Sequence, residues 1–220
     1  MVSYSELFDD NTRRKAREFY LLCHNLKRWY SSGILVIMDA CLTSSGLNYF
    51  NVVVPRVDVF YKNYIKNGKI KNTGDVLNNK NRLRSYLLSD FKNERVWDAF
   101  FDIVSFISSF RRGHESDIQA LHRWAVSADY SDMKNDPVGR IEGVGINTLQ
   151  YLRMQSGVDT IMPDKIIRRW IERYLKSNIS DEMACISNGM NIADELKISP
   201  IELCWAIWIK ESGESDKIPV

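Results

Sequence analysis

Apolar residues in this chain recur three and four positions apart, and that spacing favours packed helices over sheets. Trp97, Phe100, Phe101, Val104 and Ile107 mark one face of a strongly apolar helix, because side chains at those intervals stack on one side of a 3.6-residue turn. Phe19, Leu22, Leu26 and Trp29 do the same on an earlier helix, expected to start near Asn11 or Thr12 and to break at Gly33. Ile34 to Leu42 is an apolar run whose setting favours a buried helix. Val52, Val53 and Val54 alone would suit a strand, but Pro55 and the spacing of Val59, Phe60 and Ile65 favour helix around them. Asn67 to Asn81, rich in Gly, Asn and Lys, reads as a loop with a short helix. The expected class is all-α, with no internal repeat.

The second half continues the pattern. A helix is expected from Ser116 to Val126, with Leu121 and Trp124 facing inward. Asn135 or Asp136 before Pro137 is a sound start for a short helix, since proline at the first helical position loses no hydrogen bond. A further helix runs from about Ile146 to Gln155 and stops at Gly157. Asp164 is placed to cap the next, which passes through Trp170 and Tyr174, and Ser180 and Ser199-Pro200 each mark a later start.

With 220 residues, 45% of them hydrophobic and 11% aromatic, the chain can fill a core of its own. The net charge of +2 is too small to mark a nucleic-acid binder, so any basic footprint must come from uneven distribution. Seven cations (Lys62, Lys66, Lys69, Lys71, Lys80, Arg82, Arg84) stand against one acid, Asp75, in one such run. It suits a phosphate footprint or a solvated loop. A second run is Lys165, Arg168, Arg169, Arg173 and Lys176. Cys23, Cys41, Cys185 and Cys204 are too scattered for a zinc or iron–sulfur site, and His114 and His122 lack an acidic cluster, so no metal site is expected from side chains. A polar, charged N-terminus and the lack of a long apolar stretch point to an intracellular protein without a membrane span.

The segment with most chemistry is Ile141-Glu142-Gly143-Val144-Gly145-Ile146-Asn147-Thr148, followed by Met162-Pro163-Asp164-Lys165. Two glycines around a β-branched residue suit a tight hairpin whose backbone N–H groups can grip phosphate. Gly143-Val144-Gly145, Thr148 and Asp164 with Arg168-Arg169 resemble the helix-hairpin-helix DNA glycosylase superfamily over roughly residues 135–175. Leu42-Thr43-Ser44-Ser45 is similar to part of that family's N-lobe, although no wedge residue is placed from it. The resemblance implies a bilobal helical glycosylase fold spanning residues 1–220. It also implies double-stranded DNA with a damaged or modified base as partner, base flipping as a step of base excision repair, and a monovalent cation at the hairpin carbonyls as the one candidate cofactor. A monomer is the default.

Where bifunctional members of the superfamily carry a lysine, this chain has Asn147, so Schiff-base chemistry is not expected there. Gly145-Ile146-Asn147-Thr148 with Tyr151 and Met162-Pro163-Asp164 is similar to the monofunctional branch that removes 3-methyladenine. Alkylated purines are therefore the first expectation, with oxidised, deaminated and hypermodified bases open. Asp164 is the expected catalytic carboxylate, stabilising positive charge at C1′ and orienting water. Gly143, Val144, Gly145, Asn147, Thr148, Lys165, Arg168 and Arg169 are the expected DNA contacts, and Trp124, Tyr151 and Trp170 the candidate base pocket. Each has a plainer alternative: Asp164 as a helix cap, the glycines as an ordinary turn, the tryptophans as core, and Lys165 as a solvated side chain or a substitute amine nucleophile. At the level of the whole protein, the alternatives are a non-catalytic DNA-binding module of the same fold and a lyase-competent glycosylase using a displaced lysine.

Overall fold

The computed structural model describes residues 3–212, and every regular element in that span is helical. Residues 1–2 and 213–220 of the expected single unit lie outside the described residues. The first half holds α1 (Tyr4–Leu7), α2 (Asp10–His24), α3 (Gly33–Thr43), α4 (Val54–Phe60), α5 (Thr73–Asn78), α6 (Lys80–Asp90) and α7 (Glu94–Phe110). The second holds α8 (Asp117–Ser127), α9 (Ile146–Gln155), α10 (Lys165–Leu175), α11 (Glu182–Leu196) and α12 (Pro200–Ser212). No helix among the described residues is long and apolar enough to cross a membrane.

The apolar run from Ile34 to Leu42 becomes α3, buried on every side and packed against α4, α7, α8 and α9. A helix with no solvent face belongs at the centre of a fold. The second group forms around α12, which lies along α2 and also receives α10 and α11. The segments nearest the two ends of the chain are thus partners, and α9 touches both α2 and α3 to join the groups. Two π-helical turns, Tyr49–Val53 and Tyr61–Ile65, flank α4, so the valine triplet is helical rather than extended. All four cysteines are buried and free.

Local chemistry moves several expected boundaries. The start of α2 is set by Asp9, whose carboxylate accepts from Thr12 N at 2.8 Å. The break before α3 is not Gly33. The chain turns earlier, through Leu26 and then Trp29, Tyr30 and Ser31, all with left-handed backbone. Such conformations cost roughly 1–2 kcal/mol each for residues with a Cβ. Gly33 is instead the first residue of α3, pressed so closely on α8 that a Cβ there would lie 2.8 Å from the carbonyl carbon of Asp117. The helix expected at Ser180 is capped by Asp181.

The short helix expected from Asp136 to the hairpin does not form. Asp136 does act as a cap, accepting from Val138 N and Gly139 N at 2.8 Å each. However, Ile141 N bonds three residues back to Val138 O, and the segment continues as successive turns. Three glycines between positions 139 and 145 deprive it of helix propensity.

Gly33→Ala should lower stability by about 1–3 kcal/mol, because backbone rather than a flexible side chain must give way. Urea unfolding monitored by far-ultraviolet circular dichroism checks this; an unchanged midpoint would contradict the close contact.

Candidate active site

The Gly-Val-Gly segment is a tight turn leading into α9. Gly143 has φ +87 and packs on α7, where a Cβ would meet Arg95 O at 3.4 Å and Ala99 Cβ at 3.5 Å. Val144 is buried beneath the turn. Gly145 is the N-cap of α9, with extended backbone, no capping side chain and open space where a Cβ would stand. The first N–H groups of a helix have no partner within it, and here no side chain supplies one. The surface is therefore suited to an approaching anion.

Beside the turn lies a cleft of about 770 Å³. One wall is the segment from Thr43 to Phe50; the other combines Asn147 and Tyr151 of α9, Asp164–Ile166 at the start of α10, and Trp205 and Trp208 of α12. Tyr49, Phe50, Tyr151, Trp205 and Trp208 are its aromatic residues. Trp208 stands edge-on to Tyr151 (centroids 5.7 Å apart) and to Trp205 (5.1 Å), while Trp205 stacks on Phe19 at 4.0 Å.

Asp164 is divided between two tasks. Its Oδ1 caps α10, accepting from Ile166 N and Ile167 N at 2.8 Å each. Its Oδ2 accepts from the Trp208 indole at 2.8 Å. Burial holds the carboxyl above the usual carboxylate range, while the two backbone donors and the indole oppose that rise by favouring the charged form. Trp208 is thus both cleft wall and charge partner.

Beneath the cleft is a polar network that the linear motif does not reveal. Asp39, fully buried on α3, accepts from Trp29 Nε1 at 2.6 Å, Thr43 Oγ1 at 3.0 Å, Tyr49 Oη at 3.3 Å, Gln155 Nε2 at 3.3 Å and Tyr151 Oη at 3.4 Å. Arg28, also fully buried, lies 3.7 Å from Asp39 and donates to Gln155 Oε1 and Tyr49 Oη. Its guanidinium also sits over the Trp29 ring at 4.6 Å. Burial pushes the Asp39 carboxyl up, and Arg28 with the indole and hydroxyl donors pulls it back. Two tyrosines of the cleft wall therefore rest on one carboxylate.

The remaining expected site residues divide. Asn147, Tyr151, Asp164 and Lys165 meet in the cleft. Thr148 is buried and lines, with Gly143, Ser44, Ser45, Asn93 and Arg95, an adjoining polar groove of about 330 Å³. Trp124 is a core residue whose indole donates to Asp136, and Trp170 stacks between Phe8 and Tyr174; neither lines the cleft. Arg168 ties down the following loop through Ile179 O and Ser180 O. Arg169 is exposed and lines a separate polar depression with Arg173 and Lys176. None of the seven cations between Lys62 and Arg84 reaches the cleft, and two of them are paired, Lys62 with Asp58 and Arg84 with Asp98. No cluster of three or more potential metal-ligating side chains occurs among the described residues.

A family model described as a domain of unknown function, DUF8548, matches residues 51–212. The chain belongs to that family. No curated protein and no solved structure matches it. The DUF8548 span contains the glycine turn, Asp164 and Trp208, whereas Arg28, Asp39 and the whole of the opposite cleft wall precede it.

Asp39→Ala should destabilise the protein by about 3–5 kcal/mol, because it leaves the Arg28 guanidinium buried without its counter-charge. Adding Arg28→Met should recover part of that loss. A double-mutant cycle from denaturant unfolding measures it, and strictly additive effects would show that the two charges do not depend on each other.

Proposed function

We propose that this DUF8548 protein is a monofunctional DNA glycosylase of helix-hairpin-helix type. The observation that carries the reading is Asp164, a partly buried carboxylate in the wall of a cleft beside an uncapped Gly-Val-Gly turn. Rupture of an N-glycosidic bond builds positive charge on C1′, and a carboxylate in a low-dielectric wall stabilises that charge more strongly than water does. The turn offers backbone N–H groups for one phosphate of the same strand. A cleft of about 770 Å³ lined by Tyr49, Tyr151, Trp205 and Trp208 has the room and the apolar lining to receive a flat ring taken out of the stack. The arrangement of two helix groups joined by α9 is consistent with a bilobal glycosylase fold.

In this reading the protein grips one strand at Gly143–Gly145, extrudes a base into the cleft and hydrolyses its bond with the help of Asp164. Asn147 offers no amine for a Schiff base, which leaves an abasic site as the product. A second reading, DNA binding without catalysis, draws on the capping duty of Asp164 Oδ1, which a purely structural aspartate would also perform.

Base release from duplexes carrying single alkylated, deaminated or oxidised bases decides between them. Wild type should leave alkali-labile abasic sites, with no strand cleavage before alkali and no borohydride-trapped adduct. Asp164→Asn, which keeps an oxygen for the cap, should slow release by about 100-fold or more. A trapped adduct would point to Lys165, which is exposed at the cleft. DNA binding with no release of any base would favour the binding module.

Trp208→Phe removes a donor that favours the charged form of Asp164, so its carboxyl should rise further above the usual range. Since the ionised form is the active one, the acid limb of the rate–pH profile should move to higher pH. A limb that stays in place would separate Trp208 from Asp164.

A further inference from the structure

Most polar side chains of the cleft are already committed within the protein. The Thr43, Tyr49 and Tyr151 hydroxyls donate to Asp39, those of Ser44 and Ser45 donate to the carbonyls of Cys41 and Leu42, and the Trp208 indole donates to Asp164. Asn147 differs from them. Its Oδ1 is buried and has no hydrogen-bond partner, although it stands in the first turn of α9 in the same cleft as Asp164. A buried acceptor without a donor carries a desolvation cost that a bound donor would remove.

We propose that Asn147 holds the attacking water, its carboxamide turning so that Oδ1, closed to solvent in the free protein, accepts a hydrogen bond from one proton while Asp164 accepts from the other; the assignment rests on the glycosylase reading. Hydrogen-bond accounting leads to it. Asp164 Oδ1 is filled by two backbone N–H groups, and Oδ2, taken once by the indole, retains one lone pair. A water that donates to that lone pair has a second proton to place, and Asn147 Oδ1 is the unused buried acceptor. With both protons held, the water lone pair is left for C1′. As the water oxygen bonds to C1′, the C1′–N bond breaks and its electron pair leaves with the base. Asp164 Oδ2 takes the water proton and later releases it to solvent, and the departing base is protonated from solvent.

The test compares wild type, Asn147→Leu and Asn147→Ser in single-turnover base release, with binding to a duplex carrying a tetrahydrofuran abasic analogue measured in parallel. Asn147→Leu, which matches the size without the acceptor, should release base about 100-fold more slowly, as expected when a nucleophile is misplaced. Its affinity for the analogue should fall far less than the rate, and its melting temperature should be unchanged. Asn147→Ser restores an acceptor and should recover part of the rate. Methanol supplies a sharper readout, because it has a single hydroxyl proton and needs only Asp164. In water–methanol mixtures the fraction of methyl glycoside should rise in Asn147→Leu relative to wild type. Hydrolysis at the wild-type rate, an equal loss of rate and affinity, or an unchanged methanol fraction would each overturn the assignment while leaving wild-type glycosylase activity intact. Absence of base release by wild type would overturn the glycosylase reading, and this assignment with it.

Discussion

Five hydrogen bonds and one guanidinium converge on the carboxylate of Asp39, and the cleft depends on that convergence. A buried charge persists only when its surroundings replace the water it has lost. Here the replacements come from four separate places: the turn before α3, α3 itself, the segment after it, and α9. Each donor is therefore fixed in register with the others. The left-handed backbone at Trp29–Ser31 follows from the same demand, since it allows Arg28 and the Trp29 indole to reach one centre. Tyr30, swung outward by the turn, stacks on Tyr61 at 4.0 Å and ties the strained segment to the π-helical turn. Tyr49 and Tyr151 inherit rigidity from their hydroxyl ends, so the wall they present is set before anything enters the cleft.

Asp164 illustrates how a structural task and a chemical one can share a side chain. Capping α10 fixes the carboxylate plane through Oδ1 and leaves Oδ2 facing the indole of Trp208. The opposing effects on its ionisation come from different parts of the fold, burial from the cleft walls and donors from α10 and α12. A carboxylate held this way has little freedom to reorient, which is the condition for stabilising charge at one position in space.

Much of the helical frame was legible from periodicity alone. The face of α7 is written in apolar spacing, α3 in a continuous apolar run, and the cap at Asp164 follows from residue type. The turn through Leu26 and Trp29–Ser31 was not legible, because none of its four left-handed residues is a glycine or asparagine; long-range bonds to Asp39 and Gln155 stabilise it instead. The same limit applies to the site. Tyr151 was a candidate because it lies near the motif in sequence, but Trp208, Tyr49 and Asp39 come from distant stretches of chain that carry no local signature. Conversely, Trp124 and Trp170 lie close to the motif in sequence yet point into the core, where Asp136 and Phe8 claim them.

The pairing of α2 with α12 has a temporal side. During synthesis α2 is made well before α12, so on the apolar stripe of Ala16, Phe19 and Cys23 the Phe19 ring waits for Trp205, on which it stacks. Contacts so far apart in sequence form late and slowly, and a waiting apolar stripe is prone to associate with the wrong surface. The group around α3 needs only the chain as far as α9, and α9 covers part of α2. Closure of the cleft then coincides with docking of α12, since Trp205 and Trp208 arrive on that helix. Until α12 docks, the cleft thus lacks both of its indole walls.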